Sequence, residues 1–309
     1  MSYEILSNRL KKRKKHLSKW AKRKNITSFR VYNKDLTEYP CIIDTIDDCV
    51  IVWIYNPEQE KEIVAAIKIA FEVNDYSIFV KYRGKQKGLQ TQYEKEKYSK
   101  SREPSTLKTI EENGLKFELN LSDYVDTGLF LDHRNARLLI QSMSENKNVL
   151  NLFAYTGSFT CYAIKGGAKK TTTVELNPKY CEWVERNLAL NGNKVGPQTK
   201  VIQDDCLHFL ENTGSKFDLI ICDPPTFSNS KRKHVKTFSI KDDYPELLNA
   251  CISALTLGGK LFFSTNATSF NLDPKKLPKN LMVESITNKT IPEDFKNTSI
   301  HKAWILTKL

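Results

Sequence analysis

Apolar and polar positions follow two different rhythms along the 309 residues. Over residues 3–24, Leu6, Leu10, Leu17 and Trp20 recur at helical spacing and predict one helix with a narrow apolar stripe. Short β-rich runs follow at 29–32, 41–43, 49–55, 78–82 and 115–121, with Asp47-Asp48 read as a hairpin turn. One helix, 58–73, lies among them after Pro57, with Ile63, Ile67, Ala70 and Phe71 inward. From Asp126 the rhythm becomes strand–helix alternation. A helix at 134–143 precedes strands at 149–153, 171–175, 200–202, 217–222 and 260–264. Helices are expected between them at 159–164, 179–190, 206–210 and 243–255, and strands at 282–287 and 301–306 close the chain. The expected architecture is a basic N-terminal helix (1–25), a small α+β domain (26–125) and a doubly wound, Rossmann-like α/β sheet (126–309). Such sheets bind ligands at the carboxyl ends of their strands.

Charge changes this reading from architecture to partner. The net charge is +12, and it is segregated. Residues 1–24 hold ten Lys/Arg against Glu4 alone, 81–108 hold nine against three Glu, and 228–241 hold five with no acid before Asp242. Basic windows on a mildly acidic body are the footprint of a polyanion binder, and the plain alternative is solubilising lysines. Lys11, Lys12, Arg13 and Lys15 in the first window, Arg83, Lys85 and Lys87 in the second, and Lys231, Arg232 and Lys233 in the third are the expected RNA contacts. The second window reads as a loop carrying Tyr93 and Tyr98, a mixture suited to single-stranded RNA. A membrane-surface helix shares the pattern of 3–24 but ranks second, because the apolar stripe is thin. No run of 18 apolar residues and no secretory h-region is present, and seven scattered cysteines without a C-x-x-C pair fit reduced thiols in the cytoplasm. No metal site is expected.

The chemistry concentrates at predicted strand ends. Asn151-Leu-Phe-Ala-Tyr-Thr-Gly-Ser-Phe-Thr160 runs from a strand through one glycine into a helix, leaving free backbone N–H groups at the helix start. The three-glycine dinucleotide fingerprint is absent, which disfavours a pyrophosphate and a nicotinamide dehydrogenase. Phe153, Ala154, Tyr155, Thr156, Gly157, Ser158 and Phe159 therefore form the candidate turn for a phosphate-free adenosine cofactor, S-adenosylmethionine. Glu175, followed by Leu176 and Asn177, ends the next strand where an acid accepts from ribose hydroxyls. Of Asp204 and Asp205, one is a helix cap; Asp205 is taken as the adenine acceptor, with Cys206 lining the ring. Asp223-Pro-Pro-Thr-Phe227 follows the apolar strand Leu219–Cys222, where two prolines fix a rigid turn of acceptors beside a basic loop. Asp223, Pro224, Pro225 and Phe227 are the candidate catalytic residues, holding a base and stacking on it; Asp223 also borders the cofactor. A C5-cytosine transfer needs a nucleophilic cysteine, but the positions after the D-P-P and after the fifth strand hold Thr226 and Ser264-Thr265-Asn266.

Together with Arg137 and Ile300–Leu306, the stretches Asp126-Thr-Gly-Leu-Phe-Leu-Asp-His-Arg134, Asn151–Thr160, Thr171–Asn177 and Asp223-Pro-Pro-Thr-Phe-Ser-Asn-Ser-Lys231 carry a resemblance. The N-terminal Asn8-Arg-Leu10 and Phe29-Arg-Val-Tyr32 extend it over nearly the whole chain. The sequence resembles the N7-guanine half of bacterial ribosomal RNA large-subunit methyltransferase K/L. That likeness implies a class I methyltransferase sheet, S-adenosylmethionine, a guanine of 23S rRNA in naked or assembling large subunits, and Leu131, Asp132, His133 and Arg134 over the methionine part of the cofactor. The best-known members fuse this half to an RNA-binding module and an N2-guanine methyltransferase, which are missing from these 309 residues. RNA delivery then falls to the basic helix, to a separate partner protein, or to a larger protein of which this is a fragment. A methyltransferase of other base specificity and a non-catalytic RNA-binding assembly protein are the alternatives.

Overall fold

Residues 3–83, 106–228 and 237–309 are described by the computed structural model, and they fall into two compact units, Met1–Leu131 and Asp132–Leu309. In the first unit, α1 (Tyr3–Arg23) buries Leu6, Leu10, Leu17 and Trp20 and keeps Lys11, Lys12 and Lys15 exposed. The helix therefore shares one core with the strands instead of standing alone. A four-stranded sheet follows, built from β1 (Ser28–Asn33), β2 (Cys41–Ile46), β3 (Cys49–Ile54) and β4 (Ile78–Tyr82) in that order. The Asp47-Asp48 turn joins β2 to β3, with Asp47 at φ +56. Helix α2 (Glu60–Phe71) makes the crossover to β4, which is parallel to β3.

One element departs from the expected pattern. A strand, β5 (Leu107–Glu112), pairs antiparallel with β6 (Leu115–Asn120) where the basic loop was expected to run to residue 108. Only Ile110 of its apolar residues is buried, so the strand lacks an alternating signal; the Asn113-Gly114 turn, both residues at positive φ, closes the hairpin.

In the second unit, α3 (Arg134–Met143), β7 (Asn148–Leu152), α4 (Ser158–Lys165), β8 (Lys170–Glu175) and α5 (Pro178–Leu190) come first. They are followed by β9 (Thr199–Gln203), α6 (Cys206–Asn212) and β10 (Phe217–Cys222). Then come the two-residue pair β11 (Phe227–Ser228) and β12 (Phe238–Ser239), α7 (Ile240–Ala254), β13 (Leu255–Thr265), β14 (Leu281–Ser285), the short α8 (Thr287–Thr290) and β15 (Lys302–Lys308). The sheet order is β14-β15-β13-β10-β7-β8-β9, parallel throughout except for β15, which is antiparallel to both neighbours. This is the Rossmann-like α/β sheet expected, and the inserted antiparallel β15 separates it from the all-parallel dinucleotide order. Two differences are local. Strand β13 begins five residues early, because the register slips between Phe217 and Leu219 and accommodates Gly258-Gly259. Thr287, expected in a strand, starts α8.

Successive strand residues serve opposite cores. Leu150, Leu152, Ile220, Cys222, Leu261 and Phe263 pack with α6 and α7, while Val149, Leu219, Ile221 and Phe262 pack with α3 and α4. Chain direction diverges at the β7–β10 pair, since β8 and β9 lie on one side and β13 on the other, which makes the carboxyl ends of these two strands the topological switch point. Helix α3 is pinned beside it from a distant segment. Arg134 Nη1 donates to Asp294 Oδ1 at 2.8 Å with both side chains buried, and Asn135 Nδ2 donates to Ile291 O at 3.0 Å. Among the described residues, no helix is long and apolar enough to cross a membrane.

Asp294→Ala removes the carboxylate facing a buried guanidinium and is expected to cost about 3–5 kcal/mol in urea unfolding.

Candidate active site

The turn after β7 is under backbone tension. Phe153 (φ +52), Tyr155 (φ +52) and Gly157 (φ +75) all lie in the left-handed region, and the first two are not glycine. Clustered positive φ of this kind collects at ligand-binding turns. Gly157 is required twice over: besides its φ, a Cβ there would come within 2.7 Å of Val184 Cγ1 on α5. The turn is held from below. Asn187 Nδ2 donates to Thr156 O at 2.9 Å, Ala154 N to Val174 O at 3.2 Å, and Asn151 Nδ2 to Thr160 Oγ1 at 3.0 Å.

Glu175 ends β8 at this turn. Its Oε2 accepts from Tyr155 N and its Oε1 from Asn177 N, both at 2.9 Å. Burial pushes its carboxyl above the usual range, and the backbone N–H groups of Asn177 and Tyr155 pull it back. Leu176 and Asn177 are half-buried beside it, and Asn177 caps α5.

Asp205 is the helix cap of the aspartate pair: its Oδ1 accepts from Leu207 N at 3.0 Å and His208 N at 3.1 Å. The expectation that Asp205 takes the adenine leaves the cap to Asp204, whereas the cap is Asp205. Asp204 instead pairs with the exposed ring of His208 at 3.0 Å. An adenine role for Asp205 must run through Oδ2. Cys206, expected to line the adenine, starts α6. It is buried, Phe153 N donates to its sulfur, and it packs in one core with Cys222 and Cys251. Phe159 and Ala154 are likewise buried, Phe159 against Phe262.

Asp223, half-buried, follows β10 at the switch point. Ser264 Oγ, from the end of β13, donates to its Oδ1 at 2.6 Å, and His133 Nε2 lies 3.5 Å from its Oδ2. Pro224 is buried, Pro225 half-buried, and Phe227 is exposed in β11. His133 belongs to a buried polar chain unseen in the sequence. Its ring stacks on His301 (4.6 Å, 10°), His301 Nδ1 lies 3.4 Å from Asp132 Oδ2, and His301 Nε2 meets Thr290 Oγ1 at 2.8 Å. Asp132, His133 and His301 are metal-ligand types within 4.8 Å of one another. Their imidazole planes are parallel, however, so the in-plane lone pairs do not converge on one point, and the geometry is that of a stack. Leu131 closes the first unit and is buried; Arg134 is committed to Asp294.

The expected RNA contacts divide. Lys11, Lys12 and Lys15 project from α1, and Arg13 is half-buried. Arg83 is engaged within its own unit, 3.3 Å from Asp126 and over the Trp53 ring. Lys85, Lys87, Tyr93, Tyr98, Lys231, Arg232 and Lys233 lie outside the described residues.

Glu175, Asp205 and Asp223 thus stand at or just after the carboxyl ends of β8, β9 and β10, parallel strands of one sheet, and the single-glycine turn follows β7, the strand between β10 and β8. Three acceptors suit a ligand edged with O–H and N–H groups and repel a pyrophosphate. This donor set fits an adenosine-bearing sulfonium. The chain belongs to the S-adenosylmethionine-dependent methyltransferases, a family whose profile matches residues 33–292. Its methyl donor is S-adenosylmethionine. Among curated proteins, the chain is 42% identical to the ribosomal RNA large subunit methyltransferase K/L of Pseudoalteromonas atlantica, over 99% of this chain and 44% of that protein. With the enzyme of that name from Shewanella loihica it shares 41% identity, over 97% of this chain and 43% of that protein. The chain therefore spans less than half the length of these relatives. A Streptococcus mutans structure assigned to the S-adenosylmethionine-dependent methyltransferases superposes with a TM-score of 0.79 at 22% identity, covering 99% of this chain and 81% of that one. Another structure assigned as a methyltransferase and solved with SAH gives the same score and coverage at 24% identity. These two share the fold.

His133 supplies a pH test of the site. Burial lowers its pKa below the usual histidine value, against the opposing pull of Asp223 and Asp132. The unfolded chain therefore takes up the proton first as pH falls through about 6.5, and stability present above that pH is lost below it. The urea midpoint is expected to drop between about pH 7.5 and pH 5.5, and His133→Gln is expected to shrink that drop.

Proposed function

We propose that this chain methylates N7 of a guanine in large-subunit 23S rRNA. The observation that carries the reading is Asp223-Pro224-Pro225 at the switch point, with a carboxylate oriented by Ser264 beside the methyl-donor turn. The K/L name of relatives at about 40% identity supports rRNA as the substrate class.

S-adenosylmethionine supplies a sulfonium methyl, so that N7 gains the methyl and a positive charge while sulfur becomes a neutral thioether and no proton is removed. The protein's task is accordingly alignment, electrostatics and exclusion of water. Residues 153–159 form the floor of the cofactor pocket, with Glu175, backed by Leu176 and Asn177, accepting from the ribose hydroxyls. Asp205 accepts from the adenine amine through Oδ2. Leu131–Arg134 lies at the methionine end. Asp223 and the carbonyls of Pro224 and Pro225 accept from guanine N1–H and N2–H₂, and Phe227 offers an exposed ring for stacking. The Asp223 carboxylate also faces the charge that develops on the purine. C5-cytosine chemistry is disfavoured, since Cys222 is buried in the strand core with its thiol pushed far up by burial.

The RNA backbone is met by the basic face of α1, by the rest of the 26–125 region and by the two further lysine-rich windows of the sequence. The same surfaces would serve a large-subunit assembly intermediate. The working compartment is the cytoplasm.

The test is incubation of the chain with unmethylated 23S rRNA and labelled cofactor, followed by mapping of the modified atom. Label on guanine N7 is expected, and Asp223→Ala should abolish transfer while calorimetry shows cofactor binding largely retained. Label on an exocyclic amine or a cytosine, no label at all, or full turnover by Asp223→Ala would reject the reading.

A further inference from the structure

His133 sits in the segment expected over the methionine end, yet its polar edge points elsewhere. Its Nε2 faces two carboxylates, Asp223 Oδ2 at 3.5 Å and Asp132 Oδ2 at 3.9 Å. Its Nδ1 is buried and has no hydrogen-bond partner among the described residues. His301 stacks on the ring at 4.6 Å, and Phe159 makes a T-shaped contact with it at 5.8 Å. A neutral imidazole has one N–H to place. On Nδ1 that proton would be stranded; on Nε2 it meets acceptors. An imidazolium would strand the Nδ1–H as well, so the surroundings select the neutral ring with its proton on Nε2.

Asp223 already receives Ser264 Oγ–H on Oδ1. We propose that His133 is the second positioning residue for Asp223, its Nε2–H steadying Oδ2 so that the carboxylate's remaining lone pairs are aimed at the base. The proposal rests on the base-holding role of Asp223 given above. The 3.5 Å separation is long for a hydrogen bond, as contacts at reacting sites commonly are before they tighten around substrate. The backing is built to hold the ring still, because His301 is fixed between Asp132 Oδ2 and Thr290 Oγ1. A neutral donor also matters electrostatically. It orients the carboxylate without cancelling the negative charge that faces the cationic product base, whereas a histidinium would cancel it.

The contact and its consequence are tested separately on the full chain. With ¹⁵N-labelled histidine, long-range ¹⁵N–¹H correlation should show the His133 ring neutral and protonated on Nε2, with His133→Gln assigning the signal and Asp223→Ala shifting it. In turnover on 23S rRNA, His133→Leu should lower kcat about 100-fold while the cofactor KM stays within about 3-fold. His133→Gln, whose amide N–H reaches the Nε2 position, should recover roughly 10-fold or more of that loss. His133→Asn, whose N–H falls at the Nδ1 position, should not. A proton on Nδ1, a charged ring at neutral pH, a signal unmoved by Asp223→Ala, wild-type kcat in His133→Leu, or Asn rescuing as well as Gln would each overturn the proposal. The NMR arm needs no turnover, so a wild-type chain that fails to methylate RNA defeats the functional reading by itself, and the His133–Asp223 contact is still judged.

Discussion

The buried carboxylate of Glu175 ties together the parts of the site that strand order alone only brings near. One oxygen takes the N–H of Tyr155, in the turn after β7, and the other takes the N–H of Asn177, at the start of α5. Burial makes that carboxylate costly to ionise, and the two backbone donors offset the cost. The turn it holds is strained at Phe153 and Tyr155 and sterically closed at Gly157 against Val184, so it needs such an anchor to keep its shape. Asn187, reaching from α5 to Thr156 O, braces the same turn from beneath.

A second carboxylate, Asp223, stands across the switch point and is governed by different contacts. Ser264, at the end of β13, donates to it, and His133, in the segment before α3, lies 3.5 Å from it; these elements meet because the sheet reverses its winding between β7 and β10. The segment before α3 and the first residue of α3 are in turn moored to the closing residues of the chain through Asp132–His301 and Arg134–Asp294. The β14–α8–β15 region therefore does more than finish the sheet, because it sets the position of groups next to the proposed methyl-transfer centre.

Periodicity made much of this fold legible. Leu219–Cys222, apolar on both faces, announced a central strand, and the helices at 134–143 and 179–190 were readable from spacing and from Asn177-Pro178. The candidate site was legible where chemistry sits at a strand end, as with the single-glycine turn, Glu175 and Asp223-Pro-Pro. Pairings between distant positions were not. Arg134 with Asp294 and His301 with Asp132 join residues 160 and 169 positions apart, and no local pattern encodes such contacts. Ser264 stands in the sequence where a C5 transfer would need its cysteine, and its hydroxyl instead donates to Asp223. Asp205 and Asp204 are adjacent carboxylates, and only the backbone at the start of α6 decides which one caps it. The hairpin of β5 and β6 did leave a local sign, Asn113-Gly114, which the charge of the preceding window obscured.

On the proposed function, Glu175 and the single-glycine turn together form an adenosine site with no place for a pyrophosphate. Titration calorimetry with S-adenosylmethionine and with NAD, on the wild-type chain and on Glu175→Ala, tests it most directly. S-adenosylmethionine is expected to bind the wild type with a Kd on the order of micromolar and Glu175→Ala at least about 10-fold more weakly, with no measurable heat from NAD. NAD binding as tight as S-adenosylmethionine, or unchanged S-adenosylmethionine affinity in Glu175→Ala, would contradict it.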